Sequence, residues 1–209
     1  MNGPLATLLL ENATALGMSL SEAQTAALLG YAELIAKWNR YLNLVGSSSP
    51  NELVRNHLTD CLAAMPYIDG AHIADVGSGA GLPGIVIAIM RPERQITLVE
   101  SNQKKSRFLR QAVIELPLGN VSVADLRIEN WRPNSLPNCI VCRGYSSFEK
   151  FLADTHQLHR PGCSLVAMKG SLEHIEQAAL DGFNGTVKTQ PLSVPGWDHR
   201  HLVIFQCNT

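Results

Sequence analysis

The chain has 209 residues, which suits one domain with a sizeable core, and 45% of them are apolar. Its longest apolar run, Ile85 to Met90, is far too short to span a bilayer. A net charge of −1 and a pI near 6.6 argue against holding naked nucleic acid by bulk positive charge, although a local basic patch stays open to RNA.

Cys61, Cys139, Cys142, Cys163 and Cys207 are odd in number and irregularly spaced. A disulfide framework is not expected, and a reducing cytoplasm is. Cys139 and Cys142 match C-x-x-C, but they lie in an apolar run that reads as a strand. Residues three apart on a strand point to opposite faces, so the two thiols do not meet.

Residues 1 to about 65 read as a helical extension. The apolar patch of Leu5 and Leu8 to Leu10 has no preceding Lys or Arg and runs into Glu11, which suits a helix start rather than a secretory signal. Ser21-x-x-Gln24 reads as a capping box. Leu28, Tyr31, Leu34, Ile35, Trp38 and Leu42 then recur at helical steps. Gly46 and serines 47 to 49 break that helix. Pro50 fits the first position of the next, which is predicted from about Asn51 to Met65 and stops before Pro66.

From residue 66 the pattern alternates. Strands are predicted at His72–Val76, Gln95–Val99, Val121–Ala124, Cys139–Cys142 and Ser164–Met168. Helices are predicted at Gly84–Met90, Asn102–Leu116, Ser147–Leu158 and Leu172–Leu180. Thr186–Pro191 and His201–Gln206 close the chain as two strands around Pro195-Gly196. The fold class is α/β: a mostly parallel, doubly wound Rossmann-like sheet with an antiparallel C-terminal hairpin and an N-terminal helical extension. One domain over 1–209 is expected, with 1–65 as extension and 66–209 as ligand-binding core.

The sharpest chemical signal is Asp75-Val-Gly77-Ser-Gly79-Ala-Gly81-Leu-Pro-Gly84, between a predicted strand and a predicted helix. Glycines let the backbone turn sharply and a ligand approach it closely. Gly79-x-Gly81-x-x-Gly84 fits the dinucleotide fingerprint. Asp75, two residues before Gly77, favours S-adenosyl-L-methionine instead, because a carboxylate serves a pyrophosphate cradle poorly and suits a sulfonium and an ammonium. Glu100 ends the second strand, where an acidic side chain accepts from ribose hydroxyls with either cofactor. Asp125 to Glu129 follow the third strand and are placed to flank adenine. Arg143 and Lys169 end the fourth and fifth strands, where a cation meets a carboxylate or phosphate.

Lys104, Lys105, Arg107 and Arg110 lie along one predicted helix, Arg91 and Arg94 precede it, and His199-Arg200-His201 sits in the hairpin. These are candidate RNA contacts or a solvated face. His156-x-x-His159 has helical spacing but no evident Cys or carboxylate partner, so no metal site is expected.

Taken in order, several motifs resemble the RsmG family (glucose-inhibited division protein B), the bacterial 16S rRNA guanine-N7 methyltransferases. They are Lys37-Trp-Asn39 with Leu42-Asn-Leu44, Arg55-x-His57-x-x-Asp60, Asp75 to Gly84, Lys104-Lys-x-x-Phe108-Leu109, Arg143, Lys169-Gly170 and Arg200-His201-Leu202. The resemblance covers nearly the whole chain. It implies S-adenosyl-L-methionine contacts at Gly77, Leu82, Ile128, Glu129 and Arg143, with backbone contact at the Ile128-Glu129 pair. Gly144-Tyr145 stands where the family more often has Ala-Phe or Ala-Val.

The resemblance also implies a target guanosine in the 530 loop of small-subunit rRNA, methylated at N7. Arg143, Lys169 and Arg200 are the candidates on the substrate side. No general base is expected, since N7 has a free lone pair and no proton. The expected partner is 16S rRNA within the small ribosomal subunit, and the expected state is a cytoplasmic monomer. Two rivals stand beside this reading. A nicotinamide oxidoreductase needs a catalytic segment such as Tyr-x-x-x-Lys, which is missing, and a non-enzymatic assembly factor is at odds with the intact glycine loop.

Overall fold

The computed structural model describes residues 3–170 and 183–208. The predicted helix Leu172–Leu180 lies outside the described residues.

Helix α1 (Pro4–Ala15) starts at Pro4, where a missing N–H costs nothing. Helix α2 (Glu22–Asn39) opens with the capping box: Ser21 Oγ accepts from Gln24 N–H at 3.1 Å, and Gln24 Oε1 accepts from Ser21 N–H at 3.0 Å. Leu28, Tyr31, Leu34 and Ile35 form its buried face, as the periodicity predicts. Leu42 lies beyond the helix end. There Asn39 Oδ1 accepts from the N–H groups of Leu44 (2.7 Å) and Val45 (3.0 Å), folding the chain back.

The predicted helix 51–65 departs from expectation. It comprises α3 (Pro50–Glu52), a π-helical turn (Leu53–Leu58), α4 (Thr59–Ala64) and a 3₁₀ turn (Met65–Tyr67). The π turn has a visible cause. Thr59 donates both its N–H and its hydroxyl (2.8 Å) to Val54 O, five residues back, while Asn12 Nδ2 donates to Thr59 Oγ1 at 3.0 Å. Pro66 does not end the element, because it falls in the first turn of the 3₁₀ segment, where its N–H is not needed.

The remaining elements follow the predicted alternation: β1 (His72–Val76), α5 (Gly84–Met90), β2 (Gln95–Val99), α6 (Gln103–Glu115), β3 (Val121–Ala124), β4 (Cys139–Arg143), α7 (Phe148–Thr155), β5 (Ser164–Lys169), β6 (Gly185–Pro191) and β7 (His201–Cys207). The sheet order is β3-β2-β1-β4-β5-β7-β6. The first five strands are parallel, and β7 runs antiparallel between β5 and β6. β7 therefore begins at the edge where β4 and β5 end. Lys169 stands opposite His201, and Arg143 opposite Met168.

Side-chain alternation divides the core between the two sheet faces. Cys139 and Val141 join one buried cluster with α2, α4, α5 and α6, while Ile140 and Cys142 join the other with α7. The two thiols of C-x-x-C thus lie on opposite faces, as the strand reading requires. The N-terminal helices share their cluster with the sheet, from Leu9 to Leu202. Each fully buried large apolar side chain there contributes about 1.5–3 kcal/mol. Among the described residues no helix is long and apolar enough to cross a membrane.

Candidate active site

The C-terminal ends of the parallel strands and the start of β7 gather the predicted site residues along one edge. Gly77, Gly79 and Gly81 adopt φ of +69°, +56° and +83°, a region that L side chains avoid. Their surroundings separate two tasks. A Cβ on Gly81 would stand 2.6 Å from Ile85 Cδ1, and one on Gly84 would meet Leu98 and lie 2.7 Å from Asp75 Oδ2, so these two serve close packing. A Cβ on Gly77 would stand 3.5 Å from the Tyr145 ring, and one on Gly79 meets only Gly77 O at 3.8 Å. Gly77 thus keeps open the space between the loop and Tyr145, and Gly79 faces open space.

Most of the loop's N–H groups are already committed. Gly77 and Ser78 donate to Val99 O (2.9 and 3.2 Å), Gly79 to Glu100 Oε2 (2.8 Å), Gly81 to Ser78 O (2.6 Å) and Gly84 to Asp75 Oδ2 (2.9 Å). A pyrophosphate needs such donors free and finds a carboxylate instead. This geometry opposes the dinucleotide reading, and here Glu100 discriminates where its position in the sequence does not.

Glu100 is buried, and its Oε1 accepts from Asn102 N–H at 2.8 Å. Each carboxylate oxygen keeps a second lone pair for a ligand hydroxyl. Asp75 stands at the base of the glycine loop. It is wholly buried under the loop, holds the start of α5, and leaves Oδ1 without a partner. Burial pushes its carboxyl up to about 7.

Leu82 turns its side chain into the core. Ile128 is also buried, and its carbonyl accepts from both Trp131 N–H (3.0 Å) and Gln157 Nε2 (2.8 Å), which leaves its N–H as the group open to a ligand. Glu129 is exposed, and its carbonyl accepts from Arg132 Nη1 at 2.8 Å. Arg143 Nη1 lies 3.5 Å from Asp60 Oδ2 and 3.1 Å from His57 Nδ1. Lys169 Nζ donates to Tyr145 O at 3.2 Å and sits 4.7 Å above the Phe148 ring. Arg200 Nε lies 3.3 Å from Asp60 Oδ1, and its guanidinium stacks 3.8 Å from the Trp197 ring.

Four residues at this edge carried no role in the sequence reading. Tyr145 lies against Gly77 and donates to Asp154 Oδ2 at 2.7 Å. Tyr31 donates to the Ala80 carbonyl from α2. His57 and Asp60 stand in a motif whose i, i+3 spacing already places them on one helical face. The basic cluster divides. Arg91 and Arg94 bind the 65–69 segment, with Arg91 donating to Met65 O (2.8 Å) and Arg94 pairing with Asp69 (3.1 Å). They are therefore not a free RNA face. Arg110 pairs with Asp125 at 3.3 Å, and Lys104 and Arg107 are exposed. His156 and His159 make separate bonds, to Ala153 O and to Thr155 Oγ1. Among the described residues no group of three or more metal-ligating side chains is gathered.

The family model described as rRNA small subunit methyltransferase G matches residues 24–203. A protein of that name from Xanthomonas axonopodis pv. citri is 44% identical over 189 residues, 90% of this chain and 89% of its own. Its namesake from Nitrosomonas eutropha is 40% identical over 198 residues, 92% of each chain. The chain belongs to the rRNA small subunit methyltransferase G family. Its fold is shared more widely. A SAM dependent methyltransferase from Aquifex aeolicus superposes with a TM-score of 0.58 at 15% identity, covering 75% of this chain and 93% of its own. A methyltransferase from Pyrococcus furiosus gives 0.58 at 16% identity, covering 85% and 95%.

As a member of the methyltransferase G family, the chain is an S-adenosyl-L-methionine-dependent transferase, and the edge fits that cofactor. The cofactor has no phosphate to be denied donors by the committed loop. The space beside Gly77 and Gly79 is one that a Cβ would fill, Glu100 has lone pairs for ribose, and Arg143 and Lys169 offer cations for a carboxylate.

Proposed function

We propose that this transferase methylates N7 of a guanosine in the 530 loop of 16S rRNA, on the assembled small ribosomal subunit. The observation that carries the reading is the loop that turns the Glu100 carboxylate onto Gly79 N–H, where a phosphate would need a donor, while Gly77 stays open beside Tyr145. The order of family motifs supplies the target. We read residues 1–209 as one domain, in keeping with the apolar cluster that α2 and α4 share with the sheet.

When bound, S-adenosyl-L-methionine supplies a methyl group made electrophilic by its sulfonium. Gly77, Gly79, Leu82 and the Ile128-Glu129 backbone line its site, Glu100 accepts from its ribose, and Arg143 holds its carboxylate. Lys169 and Arg200 face the RNA. N7 carries a lone pair and no proton, so these residues position the base and exclude water and need not move a proton. The near-neutral net charge favours a structured ribonucleoprotein recognised by shape over a short naked hairpin. The protein acts in the cytoplasm as a monomer.

The test begins with calorimetric titration of S-adenosyl-L-methionine and, in parallel, NAD. Saturable binding of the former alone is expected. Methyl transfer to purified small subunits then follows, with 7-methylguanosine located by chemical cleavage and primer extension. Binding of NAD alone would overturn the reading. Cofactor binding without transfer to any rRNA would favour an assembly factor.

A further inference from the structure

The edge contains one group that cofactor binding does not explain. Asp60, on α4, is 6% exposed and takes both arginines at once: Arg143 Nη1 at 3.5 Å on Oδ2 and Arg200 Nε at 3.3 Å on Oδ1. Burial pushes its carboxyl above the usual carboxylate range, and the two guanidinium groups offset only part of that rise. His57 completes the arrangement. Arginine only donates, so His57 Nδ1 accepts from Arg143, and the ring proton sits on Nε2, which faces Ser47 O at 3.3 Å. Burial and the nearby Arg143 hold His57 down at about 4, so it is neutral. Two guanidinium groups thus share one carboxylate, with one positive charge in surplus.

The three elements involved come from distant parts of the chain: α4 in the helical extension, the end of β4, and the turn into β7. Among the described residues Nη2 of Arg143 and Nη2 of Arg200 have no partner. Arg200 is further pinned by the Trp197 ring and by its Nη1 bond to His199 O at 3.2 Å. A guanidinium fixed on one side presents its remaining N–H groups in a set direction. Such a fork fits either a phosphate or the O6/N7 edge of guanine. The second option would occupy the atom to be methylated, which leaves the phosphate.

We propose that Asp60, backed by His57, is the positioning residue of the transfer site. It ties Arg143, on the cofactor side, to Arg200, whose fork holds a phosphodiester flanking the target nucleotide. This rests on the functional reading above. The extension therefore builds the RNA side of the site through one carboxylate. Neither Asp60 nor His57 touches a reacting atom.

The experiment is Asp60→Asn in the full chain, assayed on purified small subunits. Cofactor affinity within about threefold of the parent is expected, because Arg143 keeps Nη2 for the carboxylate, with kcat/KM for small subunits lower by about a hundredfold. The double variant with Arg200→Lys is expected to be no worse than Asp60→Asn alone, because both remove one unit. A kcat/KM within threefold of the parent overturns the proposal. So does a loss of cofactor affinity in proportion to the loss of kcat/KM, which marks a merely structural role.

If Asp60→Asn does not fold, Arg200→Lys decides. A KM for small subunits raised about tenfold with unchanged cofactor affinity supports the proposal, as expected for a lost phosphate fork. A KM within twofold overturns it. Should the parent chain leave 16S rRNA unmethylated, the functional reading fails, and the clamp is judged separately by the Arg200 Nε–H resonance in ¹H–¹⁵N spectra. That resonance shifts in Asp60→Asn if the clamp exists. An unmoved resonance overturns it.

Discussion

Tyr31 and Ala80 are 49 residues apart, and the phenol of one donates to the carbonyl of the other inside the core. The bond fastens α2 to the turn of the glycine loop. Burial raises the Tyr31 pKa well above its ordinary value, so the hydroxyl keeps its proton. Tyr31→Phe leaves the Ala80 carbonyl buried without that donor, which costs about 1–3 kcal/mol. We expect a lower melting temperature and weaker S-adenosyl-L-methionine binding by calorimetry. Unchanged affinity would mean that the loop holds its shape without α2.

The loop glycines predict opposite phenotypes. Gly84→Ala forces a Cβ against Leu98 and Asp75, an overpacking that costs about 1–3 kcal/mol. It is expected to lower stability first. Gly79→Ala meets open space but must hold φ near +56°, a cost of about 1–2 kcal/mol. It is expected to reduce cofactor affinity far more than stability. Thermal melts beside calorimetry separate the two, and identical behaviour would refute the division of tasks.

Glu100→Gln tests the carboxylate under the loop. Both Glu100 oxygens accept from backbone N–H groups, those of Gly79 and Asn102. A glutamine has one oxygen and turns its NH₂ against the other donor. Cofactor affinity is expected to fall about tenfold or more, the equivalent of about 1.4 kcal/mol. Full affinity in the variant would remove Glu100 from the binding site.

Acid and base act oppositely on two buried groups. His57 is depressed from 6.5 to about 4. Its contribution to stability is present above pH 6.5 and is lost as pH falls toward 4, because the unfolded chain binds the proton first. Asp75 is raised from 3.8 to about 7. Its contribution is present below pH 3.8 and is lost as pH rises through 7. Relative to the parent, Asp75→Asn should gain stability as pH rises between these values. His57→Gln should gain relative stability as pH falls. Urea unfolding at pH 4.5, 5.5 and 7 measures both slopes, and parallel parent and variant curves would show the groups to be unperturbed.

Local pattern was enough for the order of elements. The capping box at Ser21, the alternation in Cys139–Cys142 and the glycine turn after β1 each depend on neighbours a few residues away. The antiparallel hairpin was legible because no helical pattern separates its strands. The π turn at Leu53–Leu58 was not, since it depends on the Thr59 hydroxyl and on Asn12 reaching it from α1.

The candidate site divides along the same line. Gly77, Gly79, Glu100 and Arg143 could be named because strand ends in a doubly wound sheet share one edge. Folding added what periodicity does not carry: Arg143 meets His57 across 86 residues, and Arg200, near the end of the chain, meets Asp60 in the helical extension. Two further outcomes depended on the packed chain. The sequence puts Asp75 beside the glycine loop, and the close approach of α5 at Gly84 takes it underneath the loop. Glu100 discriminates between cofactors only through its bond to Gly79 N–H, which its place at a strand end does not determine. The sequence by itself determined which residues sit at the strand ends, because those places follow from local hydrogen bonding and apolar spacing. Only the tertiary structure decided which donors stay free and which charges pair, because those depend on contacts between segments far apart in the chain.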